Sequence, residues 1–258
     1  MAEAPKEIIV DTPGAIFAII FETMLPIILS IIWIKKYGGK TSYILTGVVG
    51  FIGSVGIESI FILFFVKIFG KESNIFYLIA GISPGLFEET GKYLLIKYLF
   101  KKDQQKNIAV SYGIGHGGVE SFFVGISVLA QFLMKETLIK NGTLKESVTF
   151  LLFVMGAVER LSAVTLQISL SVINYKAVKE GKIQYYFLAI ILHDLIDFVA
   201  FLKAKGIVTS VYVIEFVVVL FSLCLAVYSY NLYINIIEKE KDEEKEKMIP
   251  LEEKKKSV

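Results

Sequence analysis

Apolar runs of about 20 residues recur along the whole chain, separated by short polar loops that carry lysine. A run of that length crosses a hydrocarbon core roughly 30 Å thick as a helix. The pattern predicts seven spans, at about 14–34, 43–68, 75–99, 107–133, 148–174, 184–203 and 207–236. Backbone groups in lipid must be paired within their own segment. The expected fold is therefore all-α, a polytopic transmembrane bundle of seven to eight helices. Residues 1–12 read as an N-terminal extramembrane segment, 13–237 as the bundle, and 238–258 as a charged cytoplasmic tail in which Glu and Lys alternate. No stretch outside the spans is long enough for a soluble domain. The first residues lack the basic region and small-residue cleavage site of a secretory signal, so the first span is expected to be retained.

Composition agrees with this reading: the chain is 55% hydrophobic with a mean hydropathy of +0.64. The net charge of +2 does not point to nucleic acid, because the lysines lie in loops and the tail. Cys224 is the only cysteine, which excludes an internal disulfide and a cysteine-based zinc cage; in the last span it reads as a small packing residue. Lysine placement sets the orientation. One set of loops holds Lys35, Lys36, Lys40, Lys101, Lys102, Lys106, Lys176, Lys179 and Lys182, together with the tail. The other holds Lys6, Lys71, Lys135, Lys140, Lys145, Lys203 and Lys205. The first set is richer. A multi-pass protein of the cell membrane is expected, with its N-terminus outside and its C-terminus in the cytoplasm.

Two local features shape the expected bundle. Gly47, Gly50, Gly53 and Gly56 in the second span suggest a small-residue face that admits a neighbouring helix. Ser83-Pro84-Gly85 predicts a break in the third span, with one helix ending near Ile82 and another starting at Pro84 under a Ser83 cap.

The chemistry lies inside the apolar runs. Glu88 and Glu89 stand side by side in the third span, and each charge at the bilayer centre costs about 2.5–3.5 kcal/mol on insertion scales. Lys92 shares the Glu88 face, four residues on. Tyr112, His116 and Glu120 form a stripe in the fourth span, and His193 and Asp197 another in the sixth, with Asp194 beside it. These are the only two histidines. Arg160, the only arginine, adjoins Glu159, and Glu22 (near Pro26), Glu58 and Glu215 are further acids within spans. Arg160 fits an ion pair fixing the fifth span or a substrate-positioning role. Glu22 and Glu58 suggest cavity lining or helix contacts, and Glu215 an interfacial position. Such a set suits peptide hydrolysis in a membrane-embedded polar cavity. A carboxylate takes a proton from water, a histidine orients that water, and a second histidine donates to the oxyanion. Alternatively, His116, His193, Glu120 and Asp197 hold a zinc ion that activates water, with Glu159 a further candidate. Both schemes use the same residue types, so zinc and metal-free chemistry stay open.

Glu88-Glu89-x-x-Lys92, His116-x-x-x-Glu120 and His193-x-x-x-Asp197, in that order over the third to sixth spans, resemble the motifs of the YhfC group of intramembrane peptidases. That group is related to PrsW and to the CAAX-processing type II endopeptidases, also called CPBP or Abi proteins. Glu159-Arg160-Leu161-Ser162-Ala163 is similar to a further YhfC motif. The resemblance implies a bundle of about eight helices around a conical cavity. Within it, Glu88 or Glu89 and His116 activate water, and His193 and Asp197 form the oxyanion site. Lys92, Tyr112, Glu120, Glu159 and Arg160 support them. Two positions depart from the pattern. Lys92 stands where the wider group has arginine, and Gln167 stands where the Glu-Arg motif is followed by a histidine. If that histidine ligates a metal in relatives, the departure weakens the metal reading here or marks a degenerate member.

The function expected is an endopeptidase that cuts a membrane-anchored or lipid-modified protein within the bilayer. The alternatives are a proton-coupled transporter, which would show an inverted repeat with paired broken helices, and a non-catalytic scaffold holding a membrane client.

Overall fold

The structure, a computed structural model, describes residues 8–100 and 107–248. Lys6, Lys101, Lys102, Lys106 and the tail beyond Met248 lie outside the described residues. Eight helices are present among the described residues: α1 Thr12–Tyr37, α2 Thr41–Phe69, α3 Asn74–Leu99, α4 Ile108–Leu133, α5 Lys135–Lys140, α6 Phe150–Lys179, α7 Gln184–Ala204 and α8 Val211–Met248. The seven long ones fall on the seven expected spans, and α5 is a short addition after the fourth. Six are long and apolar enough to cross a membrane. The exception is α3, which has the length but carries Glu88, Glu89, Lys92 and Lys97.

Helix ends are marked by residues that satisfy free backbone groups. The Asp11 carboxylate accepts from the Gly14 N–H at 2.7 Å to open α1, and Ser73 and Thr149 cap α3 and α6 in the same way. Gly38 closes α1 with φ 71°, where a side chain would be strained.

Because lipid is the solvent, the usual pattern is inverted. Large apolar side chains such as Ile60, Leu63 and Phe216 are exposed, while Glu89, Lys92, His116 and Asn174 are fully buried. Cys224 corrects its expectation: it is exposed on the outer face of α8 and packs into no core.

Helix α4 sits centrally against α1, α2 and α6, while α3 lies between α2 and α7 and reaches α6. Trp33 donates to Ser111 at 2.9 Å and Ser121 to the Glu22 carbonyl at 3.0 Å, tying α1 to α4. The α2–α4 contact is backbone against backbone. A Cβ at Gly47 would overlap the Tyr112 carbonyl oxygen, and one at Gly115 the Ile44 carbonyl oxygen. The expected four-glycine face is only half used. Gly47 and Gly50 meet α4, but Gly53 and Gly56 face open space. Spacing by three drifts about 60° per step around a helix of 3.6 residues per turn, so the later glycines rotate off the contact.

The expected break at Ser83-Pro84 does not occur: α3 runs unbroken through Pro84. Proline removes the N–H that would bond the Ala80 carbonyl. The Ser83 hydroxyl lies 3.5 Å from that carbonyl and donates to the Glu58 carboxylate at 2.6 Å. Ser83 thus ties α3 to α2 instead of capping a new helix.

At the end where α6 stops, Glu180 gathers Lys182, Lys239 and Lys176 at 2.7, 2.8 and 2.9 Å, binding the α8 extension to the α6–α7 turn. Those three ammonium groups hold the Glu180 carboxyl down at about 2, and Glu180 in turn raises Lys182 above the usual lysine range.

Gly115→Ala is expected to destabilise the protein by about 1–3 kcal/mol or more, because neither backbone can yield. Gly53→Ala, with open space around it, is expected to be neutral or mildly stabilising. Thermal unfolding of the two variants in detergent checks this contrast.

Candidate functional site

Helix α3 turns three charged side chains inward, and the helices around it supply their partners. The Glu89 carboxylate accepts three hydrogen bonds. Its Oε1 accepts from Lys92 Nζ at 2.7 Å and His193 Nδ1 at 2.8 Å, and its Oε2 from Asn174 Nδ2 at 2.6 Å. Glu88 Oε2 meets His116 Nε2 at 2.8 Å and accepts from Gln167 Nε2 at 3.1 Å. Gln167 joins the two halves: its Oε1 accepts from Lys92 Nζ at 2.8 Å, and its Nε2 also reaches Glu120 Oε2 at 3.2 Å. Arg160 donates to Glu120 at 3.0 Å and to Glu159. His193 Nε2 lies 3.6 Å from Asp197 Oδ2. One polar network thus joins α3, α4, α6 and α7.

Small residues let these helices close in. A Cβ at Gly117 would meet the Gln167 side chain at 2.9 Å and the Val164 Cα at 3.0 Å, so this glycine brings Gln167 up to α4. Gly85 leaves room for the Asp194 carboxylate in the same way. The His116 ring stacks on Tyr112 with centroids 5.9 Å apart and takes the edge of Phe51 at 5.2 Å. Those rings fix the plane of the imidazole, and its Nδ1 is buried without a partner.

A cavity of about 270 Å³ opens against the network between α3, α4, α6, α7 and α8. Glu88, Glu120, Glu159, Arg160, Gln167, His193 and Asp197 line it, with Glu215 and Ser222 from α8 opposite. Glu89, Lys92 and His116 lie behind this wall.

The structure therefore brings together Glu88, Glu89, Lys92, His116, Glu120, Glu159, Arg160, His193 and Asp197, with Tyr112 stacked beneath. It also places the other polar residues of the spans. His116 and Glu120 share a face as expected, with His116 turned to Glu88 and Glu120 to Arg160 and Gln167. Glu215, near the start of α8, lines the cavity. Of the two readings for Glu22 and Glu58, helix contact holds: Glu22 is buried beside Gly125 of α4, and Glu58 of α2 accepts from Ser83 of α3. Asn174 escaped sequence reasoning, and Gln167 stood out only as a departure. A signal was available: Arg160, Gln167 and Asn174 are spaced by seven, which places all three on one face of α6.

The four proposed zinc ligands do not assemble. Among the described residues no three His, Cys, Asp or Glu side chains group as a metal site. Three protein ligands are the usual minimum for zinc. Here His116 Nε2 is turned to Glu88 and His193 Nδ1 to Glu89, and the buried cation between them is Lys92. The donor set does not fit a metal ion.

The YhfC intramembrane metalloprotease family matches residues 21–218, which contain the whole network. The uncharacterized membrane protein YhfC of Bacillus subtilis (strain 168) is 28% identical over 233 residues, covering 80% of this chain and 89% of that protein. No solved structure matches the chain.

Removing one partner from a buried ion pair strands the other charge, at about 3–5 kcal/mol. Lys92→Met is expected to destabilise the protein by that order. Adding Glu89→Gln should restore part of the loss, since the stranded carboxylate is then gone. Unfolding curves of both variants measure the difference.

Proposed function

Because the chain belongs to the YhfC intramembrane metalloprotease family, we propose that it is a membrane-embedded endopeptidase that hydrolyses a peptide bond of a membrane-anchored or lipid-modified protein. The observation that carries this reading is the cavity: Glu88, His193 and Asp197, from two separate helices, line one hollow inside a lipid-facing bundle. Its volume of about 270 Å³ accommodates a short extended peptide segment with water.

In this reading Glu88 is the general base. It faces the cavity, with His116 and Gln167 holding its carboxylate from behind. Glu88 takes a proton from water as the oxygen attacks the scissile carbonyl, then returns it to the departing amine. His193 is held at Nδ1 by Glu89 and faces Asp197 with Nε2. Flanked by two carboxylates, it is built to carry a proton on each nitrogen, and Nε2 donates to the oxyanion of the tetrahedral intermediate. Glu89 is thereby a positioning residue, fixed by Lys92 and Asn174. Arg160 braces Glu120 and Glu159 in the cavity wall. No step passes through a metal ion.

The unit 13–237 carries the site in this account, with 1–12 and 238–258 outside the membrane. We also place the C-terminus in the cytoplasm. Lys176, Lys182 and Lys239 meet at Glu180. The start of α4 joins the Lys35–Lys40 turn through Asn107, which donates to Tyr37 and Gly38. These belong to the lysine-rich set of loops. The transporter alternative loses one of its supports, the broken third span, because α3 is continuous.

Reconstitution in liposomes with a pool of single-span peptides, read by mass spectrometry, tests the reading. The native protein is expected to yield cleavage products. Glu88→Gln and His193→Ala should each lower their rate by about 100-fold or more while unfolding as stable proteins. Undiminished cleavage by both variants contradicts the assignment.

A further inference from the structure

We infer that this site is closed to divalent cations, and that the Lys92 ammonium, locked by Gln167, supplies the positive charge at Glu89, as Arg160 does at Glu120. The inference deepens the proposed peptidase reading by naming the cation of that site.

Three carboxylates, Glu88, Glu89 and Glu120, are joined in one network within the bundle, and Glu89 is completely buried. A buried carboxylate needs a cation or a set of N–H donors. Glu89 receives Lys92, His193 and Asn174. Glu88 and Glu120 share the two N–H bonds of Gln167, with His116 also on Glu88 and Arg160 on Glu120. A divalent ion would need the lone pairs of these oxygens, and Glu88 Oε2, both Glu89 oxygens and both Glu120 oxygens already accept from donors.

The orientation of Gln167 follows from its surroundings. Lys92 has only donors, so the oxygen of the amide must face it; the two carboxylates are acceptors, so the NH₂ must face them. Turning the amide to offer its oxygen to a metal would set its NH₂ against the ammonium. Lys92 cannot retreat, because it is fully buried on α3 and is bonded on its other side to Glu89. His116 keeps an unpartnered nitrogen, Nδ1, but the rings of Tyr112 and Phe51 pack against this imidazole. Among the described residues no third His, Cys, Asp or Glu side chain joins Glu88 and His116 in a metal-binding group, and Gln167 turns its hydrogens toward Glu88.

The test uses the full chain, expressed with zinc in the medium, purified in detergent and dialysed against a zinc buffer. Metal per chain is read by mass spectrometry, and the thermal midpoint is measured with and without zinc. The unchanged protein is expected to hold zinc far below one per chain, with no shift of its midpoint. Gln167→His should raise bound zinc at least about ten-fold, toward one per chain, because a third imidazole or carboxylate ligand completes a zinc set. Gln167→Glu serves as the second variant and should raise it in the same direction. Near-stoichiometric zinc in the unchanged protein, lost in His116→Ala, would overturn the inference. So would zinc content in both Gln167 variants equal to that of the unchanged chain. Peptide cleavage is not read here, so a failure of the peptidase reading appears separately.

Discussion

The burial of one ammonium group governs this structure. Lys92 lies in the middle of a bundle that shows hydrocarbon to its surroundings, and its side chain has no exposure at all. A charge in that position is tolerated only when paired and hydrogen-bonded. Glu89 pairs with it and Gln167 accepts from it, which fixes α3 against α6. Glu89 then has lone pairs left for His193 and Asn174, and Gln167 has hydrogens left for Glu88 and Glu120. Each polar group is placed by satisfying the one before it. The catalytic geometry we propose is a consequence of that chain of satisfied bonds.

Close helix approach makes the network possible. Hydrogen bonds near 2.8 Å between side chains on different helices need those helices packed closely together. Gly115 against Ile44, Gly47 against Tyr112 and Gly117 against Val164 provide that contact. The apolar outer surface contributes the rest of the fold but little of its specificity, since lipid tails resemble the side chains they meet. Polar satisfaction and small-residue contact together select one arrangement of the helices.

Much of this was legible in the sequence, and the gaps have physical reasons. The seven long helices follow from run length alone, because a span must carry its own hydrogen bonds across a fixed thickness. The gathering of Glu88, His116 and His193 was legible from the expense of placing them in lipid. Their partners were not. Spacing by four puts His116 and Glu120 on one face but cannot say that Glu88, 28 residues away, takes the histidine. The break at Pro84 was misjudged because the tolerance of a helix for proline depends on neighbours such as Glu58. Gln167 stood out in the sequence only as a missing histidine. Its meaning emerged from the acceptor and donor groups on its two sides.

The position of Lys92 tests the account most directly. An experimental density map of the protein in lipid nanodiscs would show the ammonium and the groups around it. The account predicts Lys92 Nζ within hydrogen-bond distance of both Glu89 and Gln167, with His116 and His193 on the two adjacent glutamates and the cavity in front. A Lys92 side chain turned away from Glu89, or histidines on opposite sides of the bundle, would contradict it.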